Sequence, residues 1–132
     1  MLNSEVIFFA QLMSSLFFAI LFLQSALDKI VDWSGNLSWL EGHFAKSPLA
    51  GFVPFMLLGL TIVELAAGAT SALGVFSLWF FSSSKLALIG VELSALSLVM
   101  LFFGQRLAKD YAGAATIASY FAVALLSLLL FS

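Results

Sequence analysis

The 132-residue chain has no cysteine and a single histidine, and each shortage removes a class of function. Without cysteine the chain forms no disulfide, no thiolate metal site and no redox thiol of its own. The one histidine, His43, excludes a bis-histidine haem site within one copy. The sequence also carries no nucleic-acid patch and no nucleotide motif. We therefore predict no metal, no covalently bound cofactor, no nucleic-acid partner and no catalytic residue, so catalysis by this chain alone is not expected.

Charge is the other shortage: 9% of the residues are charged and 63% are hydrophobic. A soluble domain has roughly 25% charged residues, so this chain cannot cover itself with a water-facing surface. A lipid-exposed barrel would need short strands that alternate apolar and polar residues. The apolar runs here are long, continuous and rich in Leu and Ala. The predicted fold class is all-α, an integral membrane four-helix bundle formed by a single domain over residues 1–132.

Four apolar segments predict membrane-spanning helices over about 5–29, 51–74, 85–103 and 111–131. The first loop is the longest, and the spacing of its apolar residues predicts a short amphipathic helix at the membrane interface (Trp33, Leu37, Leu40, Phe44). The segment SLWFFSSSK predicts an aromatic belt and a serine-rich turn after the second helix, and Gly104 is expected to end the third.

The few positive charges suggest an orientation. Loops one and three share one side of the membrane and hold Lys29, Lys46, Arg106 and Lys109, whereas the other side holds Lys85. The positive-inside rule places loops one and three in the cytoplasm.

Two carboxylates, Glu64 and Glu92, interrupt the second and third helices. If the turn between these helices is centred near Leu78, the two residues are equidistant from it and should lie about 10 Å inside the membrane. The first helix enters from the same side and would add Gln11 and Ser14. The sequence therefore predicts a buried polar layer, with no Lys or Arg at that depth to supply a counter-charge.

Two roles remain open for this layer. Two carboxylates close together in a low dielectric cannot both ionise cheaply, so a protonated one could donate a hydrogen bond to a quinone carbonyl or relay protons. Alternatively, both acids are neutral and bond Gln11 and the serines, which would fix the register of the helices.

A second polar cluster is expected at the opposite end of the bundle. Its main members are Asp28, Lys29, Arg106 and Asp110. The cluster is either ordinary interfacial charge with snorkelling side chains or an entrance site for an anionic or quinone head group. His43 is expected to be a solvated loop residue.

Three segments, SALDKIVDW, HFAKSPLAGFVP and TIVELAAG, together resemble the DoxX family of small four-helix membrane proteins, related to the DoxD subunit of thiosulfate:quinone oxidoreductase. The family pattern has a small residue and a Lys at the end of the first helix, which Ala26 and Lys29 resemble here. It also has a Glu followed by a Gly in the second helix, which Glu64 and Gly68 resemble. The Gly-x-Gly-Arg of its third loop is matched by Gly104 and Arg106, without the second glycine.

The resemblance implies a redox-associated inner-membrane protein that is a partner in a larger complex. The leading hypothesis is an accessory subunit of a quinone-linked complex, with quinone as a ligand and lipid and other membrane subunits as partners. The alternatives are a small proton-coupled transporter and a purely structural assembly factor. Transport predicts a water-accessible cavity that reaches Glu64, whereas a structural role predicts a dry core.

Overall fold

A computed structural model describes residues 3–132, which form five α-helices and no strand. The helices are α1 (Ser4–Val31), α2 (Trp33–His43), α3 (Val53–Phe81), α4 (Lys85–Leu107) and α5 (Tyr111–Leu129), with a 3₁₀ turn at Ala50–Phe52 before α3. Within the described range, α1, α3, α4 and α5 are each long and apolar enough to cross a membrane. The predicted four-helix membrane bundle and the short helix in its first loop are confirmed.

The helices α3 and α4 are longer than the sequence suggested. The aromatic segment that was expected to lead into a turn is still helical, and α3 ends only at Phe81. The turn lies at 82–84, where Ser82 takes a left-handed conformation with φ of 52°. Helical hydrogen bonding satisfies the backbone inside a membrane, which favours extension of the helix through apolar residues. Gly104 does not end α4, which continues to Leu107.

Small residues allow α3 to approach both of its neighbours closely. A methyl group added at Gly68 would lie 2.8 Å from the backbone nitrogen of Leu23 in α1. A methyl group added at Gly74 would lie 2.6 Å from the Cα atom of Ala87 in α4. Because side chains cannot fit at these contacts, α3 packs closely against both α1 and α4.

The core of the bundle is shared by all four spanning helices. Its fully buried apolar members are Phe18, Phe22, Ala67, Val91, Leu98 and Ala124. Because the buried sides of α1 and α4 meet in this one cluster, their exposed sides face away from each other. The last helix, α5, contributes least, since Ala114, Ala124 and Ser127 are its buried residues.

The helix α2 lies over the end of the bundle where loops one and three meet. It has no buried residue of its own, but Phe44, which follows it, is 6% exposed. The ring of Phe44 lies against Gly104, where an added methyl group would be 3.4 Å from Cζ. Asp32 accepts a hydrogen bond from the Gly35 backbone and caps the start of α2. Phe44 therefore anchors α2 to α4.

Candidate functional site

A buried ion pair joins α1 and α3. The Nζ atom of Lys29 lies 2.9 Å from Oε1 of Glu64, and the two side chains are 14% and 1% exposed. The hydroxyl of Ser25, one turn before Lys29, donates a hydrogen bond to Oε2 of Glu64. The contact of Lys29 with Oε1 is an ion pair, and no hydrogen bond reaches this oxygen in the described chain. The three side chains form a closed triangle between the two helices.

Three oxygen atoms surround the ammonium group of Lys29. It forms the ion pair with Oε1 of Glu64, and it donates hydrogen bonds to the Ser25 hydroxyl at 2.7 Å and to the Ser25 carbonyl at 3.3 Å. These contacts hold the ammonium group at the depth of Glu64. The expectation that no cation lies at the depth of Glu64 is therefore wrong. Lys29 is the counter-charge, although its position near the end of α1 had suggested a residue of the interface.

The predicted polar layer does not form, because the turn on which it depended is displaced. The turn is centred at Ser83 rather than near Leu78, so Glu64 and Glu92 are not equidistant from it. Since Gly74 lies opposite Ala87, the residue of α4 level with Glu64 is Ser97. Glu92 is therefore about 8 Å away from Glu64 along the helix axes. It is also exposed on the outside of the bundle.

The two polar residues of α1 assigned to that layer lie still further away. The contact of Gly68 with Leu23 sets the register of α1 and α3, and it places Gln11 about 24 Å from Glu64 along the bundle. The amide of Gln11 donates to the carbonyl of Leu130 near the end of α5. Ser14 donates to the carbonyl of Gln11 within its own helix. Gln11 therefore joins α1 to the end of α5, whereas the hydrogen bond of Ser14 stays within α1.

The second predicted cluster separates into individual contacts. Lys29 turns inward to Glu64, and the guanidinium of Arg106 lies 4.8 Å from the centre of the Tyr111 ring. Asp110 caps α5 by accepting a hydrogen bond from the Gly113 backbone. Asp28 is exposed, and its backbone carbonyl accepts a bond from Asn36. Among the described residues, no ion pair joins two of the four predicted members.

A cavity of about 410 Å³ lies beneath α2, between α3 and α4. Most of its lining is apolar and includes Trp39, Phe44, Leu49, Val53, Met56, Leu57, Leu60, Met100, Leu101 and Phe103. Five polar residues also line it: Lys29, Asn36, His43, Gln105 and Asp110. Cavities of roughly 300–1,000 Å³ with an apolar lining and a few polar groups are typical sites for small ligands.

The polar wall of this cavity is built from residues of α1, α2, α4 and the loop before α5. Nε2 of His43 lies 3.6 Å from Oδ2 of Asp110, slightly beyond hydrogen-bond distance, and the imidazole is 23% exposed. The ring stacks on Trp39 at 4.6 Å between centroids and meets Phe44 edge-on. Oε1 of Gln105 is buried without a hydrogen-bond partner in the described chain. His43 is thus an ordered wall residue and not a solvated loop residue.

The cavity wall offers hydrogen-bonding groups to a neutral ligand. Lys29 belongs to both features, since it pairs with Glu64 and also lines the cavity. The residues missed from the sequence are Ser25 as a partner of Glu64 and His43 as a wall residue. A signal for His43 was present, because Trp39 and His43 are four residues apart and therefore share one face of a helix.

No protein-family model, curated protein or solved structure matches the chain, so its function must be inferred from this geometry.

Proposed function

We propose that this chain is a DoxX-like membrane subunit that binds a quinone-class ring in the cavity beneath α2 and works beside a redox enzyme. The observation that carries the proposal is the apolar cavity with hydrogen-bonding residues on its wall. The site lies at one end of the membrane-spanning bundle, where a ligand dissolved in lipid could reach it.

The chemistry of a quinone suits this lining. A quinone head group is a flat, uncharged ring with two carbonyl acceptors. Trp39, His43 and Phe44 offer aromatic faces and edges to such a ring. His43 and the amide of Gln105 supply donors for its carbonyl oxygens. Lys29 is held by Glu64 and Ser25, so its proposed part is to line the cavity rather than to bind the ring.

The position of Glu64 favours binding over transport. A proton-coupled carrier needs a water-accessible route to its intramembrane acid, whereas Glu64 is 1% exposed and does not contribute to the cavity lining. Both oxygens of its carboxyl group already face a partner, Lys29 or Ser25. Its proposed role is therefore to hold α1 against α3 beside the ligand.

The proposed location is the inner membrane, with loops one and three in the cytoplasm. The contacts of His43 with Asp110 and of Phe44 with Gly104 support placing both loops at one end of the bundle. Lys29 no longer counts toward the orientation because it is paired inside the bundle. Lys46, Arg106 and Lys109 still outnumber Lys85 at the other end.

Quinone binding can be tested by tryptophan fluorescence in liposomes. The chain has three tryptophans, and Trp39 lines the cavity. A Trp33→Phe, Trp79→Phe variant keeps Trp39 as the single reporter. Titration with 2-methyl-1,4-naphthoquinone should quench its fluorescence along a saturating curve. A His43→Ala change should weaken the apparent affinity about ten-fold, since a hydrogen bond to the ring is lost.

The matched control keeps Trp79, which is exposed at the opposite end of α3. A Trp33→Phe, Trp39→Phe variant should show a linear, unsaturated response, because quinone dissolved in the lipid reaches this residue only by collision. If Trp39 and Trp79 give the same linear response, the quinone site is refuted.

The role beside a redox enzyme requires a separate test. Tagged protein is purified gently from its native membrane, and the proteins, haem and quinone that accompany it are identified. The proposal expects a redox enzyme in stoichiometric amount. Protein recovered without any redox partner or cofactor would contradict the accessory role, even if the purified chain binds quinone in liposomes.

A further inference from the structure

Two polar side chains on the outer surface of the bundle have no partner. Gln24 of α1 and Glu92 of α4 are both exposed within helices that are apolar enough to cross a membrane. No hydrogen bond or ion pair to either side chain occurs in the described chain. The exposed hydroxyls of Thr116 and Ser119 on α5 instead bond carbonyls of their own helix. An acid at such a depth normally faces protein, water or a partner.

Gln24 and Glu92 lie at nearly the same depth. The contacts of Gly68 with Leu23 and of Gly74 with Ala87 set the registers of α1, α3 and α4. By these registers Glu92 is level with Phe22, and Gln24 is about 3 Å further along the axis of α1. Both residues are close to the middle of the bundle.

Each residue belongs to a continuous exposed stripe. On α4 the exposed residues recur every three or four positions at Glu92, Leu96, Val99, Phe103 and Arg106, and Lys85 lies two turns before Glu92. On α1 they recur in the same way at Val6, Phe9, Met13, Leu16, Ile20, Gln24 and Leu27. This spacing is typical of a surface that packs against another helix. We call these surfaces the α4 stripe and the α1 stripe.

We infer that this protein associates with further copies of itself, the α4 stripe of one copy packing on the α1 stripe of the next, with Glu92 bonded to Gln24. The amide of Gln24 carries both donors and an acceptor, so it can bond a carboxyl group in either protonation state. Copies inserted in the same direction place the two residues at one depth. Nothing else on the outer surface of the spanning helices, within residues 3–132, offers Glu92 a free polar partner at that depth.

The geometry makes the contact head-to-tail. The stripes face away from each other across the shared core, so one copy presents different surfaces to its two neighbours. Such a contact builds rings or chains of more than two copies. Packing α4 against α4 of a second copy is less suitable, because a two-fold axis normal to the membrane would oppose Glu92 to Glu92 and Lys85 to Lys85.

Cysteine cross-linking tests this arrangement directly, since the chain has no cysteine of its own. Leu27 and Leu96 lie one turn beyond Gln24 and Glu92 on the two stripes, and both are exposed. Leu27→Cys and Leu96→Cys variants, each intact at Gln24 and Glu92, are expressed separately and together and oxidised in native membranes. We expect a cross-linked dimer when they are expressed together and monomer when either is expressed alone. The double variant should give a ladder of larger species.

The control uses positions on the same two stripes at different depths. Ile20 and Val99 are equally exposed, but their levels differ by about 14 Å, so Ile20→Cys with Val99→Cys should give no cross-link. A Gln24→Leu change in the Leu27→Cys chain should reduce the dimer at least five-fold. Leucine faces lipid there, so the fold is retained.

Three results would overturn the inference. The mixture of Leu27→Cys and Leu96→Cys could remain monomeric, or Leu96→Cys alone could cross-link as efficiently as the mixture, which would indicate a symmetric contact. Alternatively, the cross-linked product could contain a different protein, which would show that the α4 stripe binds another subunit. Any of these results excludes a head-to-tail contact between copies.

Discussion

Removing Lys29 should destabilise the bundle far more than removing both members of its ion pair. A Lys29→Met change keeps much of the side-chain volume but leaves the carboxylate of Glu64, 1% exposed, with Ser25 as its remaining partner. Breaking a buried pair in this way typically costs about 3–5 kcal/mol. Glu64→Met should lower the free energy of unfolding by less, because Lys29 can extend toward the end of the bundle and place its charge in water.

The double variant Lys29→Met, Glu64→Met should recover most of that loss. Replacing a buried ion pair with apolar residues of similar size is often neutral or stabilising, so we expect it to lie within about 1–2 kcal/mol of the unmodified chain. The coupling between the two positions should then be at least about 2 kcal/mol.

These free energies of unfolding can be measured by titrating SDS into mixed micelles and following tryptophan fluorescence. Lys85→Met, at an exposed helix start, is the control and should change stability by less than about 0.5 kcal/mol. Additive losses in the double variant would refute the reasoning, as would a loss below about 1 kcal/mol for Lys29→Met.

Two further predictions concern packing and capping. Gly74→Val should destabilise the bundle by about 1–3 kcal/mol in the same titration, because its side chain would meet the backbone of α4, whereas Gly59→Val, with open space around it, should be tolerated. Comparable losses at Gly59 and Gly74 would contradict close packing of α3 on α4. Asp110→Ala should lower the free energy of unfolding by about 1 kcal/mol through loss of the α5 cap. Asp110→Asn keeps an acceptor for the Gly113 backbone, so it should retain most of the stability that the cap provides. Equal melting temperatures for the two Asp110 variants would exclude the capping role.

The fold was predictable because composition and the length of apolar runs determine it. The four spans and the helix over Trp33–His43 follow from patterns that extend over many residues. The depth of single side chains was not predictable in the same way. A shift of the α3–α4 turn from Leu78 to Ser83 is small in sequence, but it changes the relative depth of Glu64 and Glu92 by several residues.

The partner of Glu64 was missed for a related reason. A lysine near the end of a membrane helix usually extends outward, and only the contact of Gly68 with α1 shows that Lys29 is level with Glu64. His43 was missed because its contacts with Asp110 and the cavity depend on how the first loop folds back over the bundle. Such long-range contacts leave no periodic pattern in the sequence.

The ion pair also bears on how the chain is inserted during synthesis. The helix α1 emerges before α3, and Lys29 lies near its end, where the ammonium group can remain among the lipid head groups until α3 arrives. Glu64 lies near the middle of α3 and has no comparable exit. Its insertion is therefore eased when α1 is already in the bilayer and can supply Lys29 and Ser25. The helices α1 and α3 would enter the membrane as a coupled pair, before α4 and α5 assemble around them.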